Sequence, residues 1–97
     1  MRALVIVQEN LHDQAGTFEA YRKEVMATLA PFHGKFLVRG GKLTVREGQW
    51  PYERTAVLEF PSRKDAEDWY DSAAYQKILP LRLQGATSNF VIVDAVD

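Results

Sequence analysis

Arg39 stands beside Gly40 and Gly41 in a stretch that otherwise reads as strand, HGKFLVRGGKLTVREGQWPYERTAVLEF from His33 to Phe60. An arginine next to two glycines sets a planar fork of donors where the backbone can bend and little side chain fills the space. Such a wall would anchor a carboxylate or another anion. The competing use is a structural ion pair with Glu59 or Glu47. A hairpin loop centred on Gln49 and Trp50 would put Glu59 opposite or diagonal to the Arg-Gly step. Arg82 is the second cation of interest, one turn beyond Ile78 and Leu79 on the same side of a helix. There it either snorkels or meets an anion, and near a helix C-terminus it also complements the dipole.

Tyr70, Ser72 and Tyr75 cluster around a break between two helical pieces. Their hydroxyls could orient a ligand between sheet and helices. Alternatively the tyrosines are amphipathic, with apolar bodies in the core and wet tips. Trp50 sits on a turn, where a large aromatic closes a pocket or joins a subunit contact. His33 could act as a general base, but no carboxylate follows at a spacing that would orient it. Capping of the preceding helix is the better reading. His12 lies in a polar loop. Two distant histidines without an H-x-x-x-H or E-x-x-H pattern make no metal site, and haem would find only His33 as an axial candidate. No cofactor is expected. The sequence has no nucleophile motif and no phosphate loop, so whether the protein is an enzyme stays open.

These groups need a scaffold. The first strand is expected at Arg2–Val7, apolar on both pleat faces. A helix follows over Gly16–Ala30, with Phe18, Tyr21, Val25, Leu29 and Phe32 on one face and Asp13 or Thr17 as its cap. Pro31 and Gly34 end it. The second strand runs from Lys35 to Arg39 and is expected to resume over Lys42–Glu47, across a bulge or bend at the glycines. Gly48–Tyr52 is a loop and Arg54–Phe60 the third strand. Ser62 caps a second helix, with Asp65 in an approximate capping box and Ala66, Trp69 and Tyr70 facing inward. A further helical piece spans Ala74–Arg82, kinked at Pro80 and stopped by Gly85. The last strand is Ser88–Val96.

The order β-α-β-β-α-β is the ferredoxin-like α+β arrangement, an antiparallel four-stranded sheet with its helices on one face. The other face should then alternate apolar and polar residues. The first and last strands do not alternate, so a cover is required. A second subunit is the economical one.

Composition bounds the rest. The chain has 97 residues, which fit a single domain spanning 1–97 with a modest core. Apolar residues make up 46% and charged residues 26%. A net charge of −1 offers no field for nucleic acid or an anionic membrane. The absence of cysteine removes disulfides and thiol chemistry. No apolar run approaches a membrane span. The N-terminus does not read as a signal peptide, so a cytoplasmic location is expected. The lysines and arginines between Lys35 and Arg54 alternate with Glu47 and Glu53, as on a solvated hairpin.

Several residues together resemble the dimeric α/β-barrel superfamily, and within it the small bacterial family catalogued as domain of unknown function 1330. They are Tyr21, HGKFLVRGG (His33–Gly41), the Glu47-Gly48-x-Trp50 turn, LEFPS (Leu58–Ser62), AEDWYDSxxY (Ala66–Tyr75) and Arg82. The resemblance implies the fold, a homodimer through the open sheet face and a pocket, but no mechanism. Distant members of the superfamily include cofactor-free monooxygenases, lactone isomerases, haem-degrading enzymes and ligand-sensing domains. The expectation is a small dimeric protein that binds a small acidic organic molecule between sheet and helices, through Arg39, Trp50, Glu59, Tyr70, Tyr75 and Arg82. The alternatives are a cofactor-free monooxygenase or isomerase, or a non-catalytic sensing module. A buried guanidinium needs an anion. Glu59 could serve Arg39, while no acidic residue near Arg82 looks free. One of the two arginines is therefore expected to meet a bound carboxylate, phosphate or sulfate within reach of Tyr75.

Overall fold

The computed structural model describes residues 1–12 and 16–96. Four strands, β1 (Ala3–Leu11), β2 (Lys35–Arg39), β3 (Arg54–Phe60) and β4 (Ala86–Asp94), form an antiparallel sheet in the order β2-β3-β1-β4. Helices α1 (Thr17–Leu29), α2 (Arg63–Asp71) and α3 (Ala73–Gly85) cover one face, giving the expected ferredoxin-like arrangement. Among the described residues no helix is long and apolar enough to cross a membrane.

β1 reaches four residues past its expected end. Its polar half stays in the sheet because every residue from Ala3 to Leu11 has a partner on β4. Its odd-numbered residues Ala3, Val5, Val7 and Glu9 are buried beneath the helices. On α1 the spacing of Phe18, Tyr21, Val25 and Leu29 makes the inward face as expected. The N-cap of α1 is Gly16 in a left-handed conformation, without a side-chain cap. Thr17 is thus already helical, and Asp13 lies outside the described residues. Trp69 fills the centre of the core against Phe60 and Tyr75. Its indole nitrogen donates to Thr28 Oγ1 at 3.0 Å, so the buried ring leaves no donor unmet.

Ser62 caps α2 by accepting from the Asp65 amide at 3.1 Å. Ser72 separates α2 from α3, accepting from the Tyr75 amide at 3.2 Å and donating to the Trp69 carbonyl at 2.7 Å. Its hydroxyl is therefore a cap at the junction of the two helices. α3 continues through Pro80 as far as Gly85. Gly85 sits where α3 crosses the start of α1. An added Cβ would lie 2.7 Å from Phe18 Cβ and 2.9 Å from the Phe18 backbone nitrogen. Gly85→Ala should therefore cost about 2 kcal/mol through overpacking. Urea unfolding would show this as a lower midpoint, and an unchanged midpoint would mean the helix crossing can relax.

The expected strand at Lys42–Glu47 is absent. Gly40 turns the chain away with φ of 74°, and its amide closes the ladder on the Thr55 carbonyl at 2.9 Å. β3 begins only at Arg54, after Pro51, which has no amide to pair. The bulge falls earlier, as a register shift between Phe36 and Val38. On the open sheet face, Val38, Val57, Ile6 and Val91 are successive cross-strand neighbours. Val91 is 51% exposed and Val93 42%.

Candidate functional site

The inner sheet face ends in a polar row. Glu9 of β1 lies between Arg54 of β3 and Ser88 of β4 as a cross-strand partner of both. Arg54 Nη1 donates to Glu9 Oε1 in a close ion pair. Glu9 is 2% exposed, and its second oxygen, Oε2, has no hydrogen-bond partner among the described residues. The Gly40 turn passes directly over Arg54, since a Cβ at Gly40 would stand 2.6 Å from Arg54 Nε. The glycine next to Arg39 thus makes room for a different arginine.

Two helices roof this row. Tyr75, Ile78 and Arg82 share the buried face of α3, where a spacing of three and four residues keeps them in line. Tyr21 comes from α1, and its hydroxyl meets that of Tyr75 at 2.9 Å. Arg82 is 4% exposed. Its Nε donates to Tyr75 Oη at 3.3 Å and its Nη1 to Ser88 Oγ at 2.6 Å. Its Cζ lies 5.0 Å from the centre of the Phe90 ring. All these partners are neutral, and no carboxylate pairs with Arg82 among the described residues.

Burial pushes the Tyr21 phenol well above its ordinary range, with the neighbouring Tyr75 adding to the effect. Burial also raises Tyr75, although the adjacent Arg82 charge and the Tyr21 hydrogen bond pull it back. Both phenols are neutral donors at neutral pH. For Arg82, burial opposes the charge, and the oxygens of Tyr75, Tyr21 and Tyr70 together more than offset it.

A cavity of about 30 Å³ lies between sheet and helices, lined among others by Glu9, Tyr21, Arg54, Trp69 and Arg82. Arg39 is on its outer wall, with Cζ 4.5 Å over the Phe36 ring and Nη2 donating to the Arg22 carbonyl at 3.3 Å. The site is rich in guanidinium and holds one carboxylate, Glu9.

Of the residues singled out in the sequence, Arg39 and Arg82 line this cavity, and Tyr75 is bonded to two of its lining residues, Tyr21 and Arg82. Tyr70 packs on the outer edge, its ring 5.2 Å from Phe90 and 5.4 Å from Tyr75. Glu59 does not pair with Arg39. It lies on the open face, bonded to Arg2 at 2.7 Å and to Lys35 at 3.4 Å, and the Arg2 hydrogen bond first of all holds its carboxyl below the usual range. The bulge is the reason. It sets Val38 opposite Val57 and Arg39 opposite Ala56, and a one-residue slip moves a side chain to the other face. Trp50 also belongs to the open face, 43% exposed, with its indole nitrogen donating to Thr55 Oγ1 at 3.2 Å. His33 is the left-handed cap of the 3-10 turn Ala30–Phe32, its amide donating to the Ala30 carbonyl at 3.2 Å.

Glu9 and Arg54 are the site residues that sequence reasoning missed, and Tyr21 was assigned only to the core. The signal was parity: Glu9 continues the series Ala3, Val5, Val7, and Arg54 the series Ala56, Leu58, Phe60.

The profile of the family described as domain of unknown function (DUF1330) matches residues 2–96. No curated protein matches the chain. Among solved structures, the RPA0582 protein of unknown function from Rhodopseudomonas palustris is 15% identical with a TM-score of 0.78, over 99% of this chain and 83% of that one. SnoaB, a cofactor-independent oxygenase from Streptomyces nogalater, is 13% identical with a TM-score of 0.65, over 99% of this chain and 94% of that one. A dimeric ferredoxin-like protein of unknown function from Thermobifida fusca is 15% identical with a TM-score of 0.64, over 98% and 92%. At such identities these likenesses establish the fold alone.

Proposed function

The chain belongs to the family described as domain of unknown function (DUF1330), and on that footing we propose that it is a homodimeric protein that binds a small organic anion between sheet and helices. One observation supports this above the others. Arg82 is buried, and the groups it bonds are a phenol and a serine hydroxyl. A guanidinium held from water without a counter-charge is costly, and an anionic ligand would supply the missing charge. Tyr75 holds the guanidinium in place, and Arg39 at the outer wall would draw the anion in.

The test is calorimetric titration with phenylacetate and with its uncharged amide. Wild type should bind the acid at least about tenfold more tightly than the amide, the value of one charge-assisted contact. Arg82→Met should remove the preference while the circular dichroism stays native. Equal binding of acid and amide, or no binding of either, would end the proposal.

The dimer rests on the uncovered row Val38–Val57–Ile6–Val91 and on the dimeric ferredoxin-like relative from Thermobifida fusca. Trp50 flanks that face. Trp50→Ala should therefore weaken dimerisation by about 2 kcal/mol. Sedimentation equilibrium would read this as a dissociation constant about thirtyfold higher. A monomeric wild type at micromolar concentration would exclude the dimer.

A further inference from the structure

Glu9 and Arg82 pose one problem from two sides. Ser88 is the cross-strand neighbour of Glu9, and Arg82 donates to Ser88, so the two charged groups reach adjacent positions on the inner sheet face. They form no ion pair, although both line the same cavity. Glu9 Oε1 is taken by Arg54. Glu9 Oε2 is buried, without a donor among the described residues. One small space thus presents a cation that lacks an anion and an acceptor that lacks a donor.

A simple carboxylate answers the first need and leaves Oε2 unmet. A dicarboxylate aggravates the second, because its extra charge would face Glu9 at short range in a medium that screens poorly. A carboxylate that also bears a hydroxyl answers both. Building on the anion-binding reading above, we infer that the ligand is a 2-hydroxy acid whose carboxylate meets Arg82 and whose hydroxyl donates to Glu9 Oε2. The cavity of about 30 Å³ suits such a head. A water needs about 10–15 Å³ in this measure, so only a few polar heavy atoms enter, close together. The rest of the ligand stays at the mouth beside Phe36 and Arg39.

Three matched probes test this by calorimetric titration: mandelate, phenylacetate and phenylmalonate, which differ only in the group on the carbon beside the carboxylate. Wild type should bind mandelate about tenfold or more tighter than phenylacetate, since a buried acceptor discriminates against the ligand that leaves it unpaired. Phenylmalonate should bind weakest of the three. In Glu9→Gln the amide oxygen keeps the Arg54 bond and the NH₂ group turns to the cavity. The acceptor and the negative charge are both gone. The NH₂ group can still donate to the mandelate hydroxyl, so the discriminating readout in this variant is phenylmalonate, which should gain about tenfold relative to phenylacetate. If wild type binds mandelate and phenylacetate equally, the hydroxyl has no partner and this inference is overturned while the anion reading stands. If none of the three binds, both fall together. Should Glu9→Gln not fold, the wild-type series decides alone.

Discussion

Arg54→Ala is expected to cost the fold about 3–5 kcal/mol, because it strands a buried carboxylate. Glu9 sits at the end of the apolar inner row of β1. Among the described residues only one of its oxygens is hydrogen-bonded, and that bond comes from Arg54. Truncation of the arginine removes the counter-charge and leaves both oxygens unmet. Much of the loss is the penalty on Glu9 and not the worth of the pair. The double variant Glu9→Leu/Arg54→Met should accordingly recover most of the stability, since a well-packed apolar pair often matches a buried ion pair. Urea unfolding of the wild type, Arg54→Ala and the double variant gives the comparison. A loss below about 1 kcal/mol in Arg54→Ala would mean that Glu9 finds another donor, with Arg82 the other buried cation. The picture of an unanswered guanidinium would then fail.

The same row shows how far the sequence could be read. Spacing alone placed α1, because a helix must repeat its apolar face every three to four residues, and Phe18, Tyr21, Val25 and Leu29 do so. β3 was legible to the residue, framed by Pro51 and Pro61. Polar residues blurred the other strand ends. Gln8, Glu9 and Asn10 look like loop until their partners on β4 are known, and with them went the carboxylate of the site. The register of β2 was illegible for a deeper reason. A bulge is a property of two strands, and one strand's sequence does not say which residue will be left unpaired. The bulge near Phe36 decides which face Arg39 takes and which arginine Glu59 serves. The glycines beside Arg39 did mark a special place. Gly40 marks it for the guanidinium of Arg54, which passes beneath it, a contact that no local pattern announces.

Base denaturation provides a second large effect, from the tyrosine pair that holds the roof of the site. Tyr21 and Tyr75 are both buried and bonded to each other through their hydroxyls. Burial raises both phenols above their ordinary value of 10.0. In the unfolded chain each would lose its proton near pH 10. Above that pH the folded protein holds protons that the unfolded chain has released, so stability falls as pH rises. Below it both states keep their protons and the two phenols contribute fully. The expected profile is flat to about pH 9 and above about pH 10 declines by about 1.4 kcal/mol per pH unit for Tyr21, with Tyr75 adding to the fall. Tyr21→Phe should make that decline shallower by one such step, whatever its effect at neutral pH. Lysines that titrate in the same range are common to both proteins and cancel in the difference. Urea midpoints at pH 8, 9.5, 10.5 and 11 for wild type and Tyr21→Phe would read it. Parallel curves would show that Tyr21 ionises as easily in the fold as outside it. The roof would then be wet, and Arg82 beneath it would already have water for company.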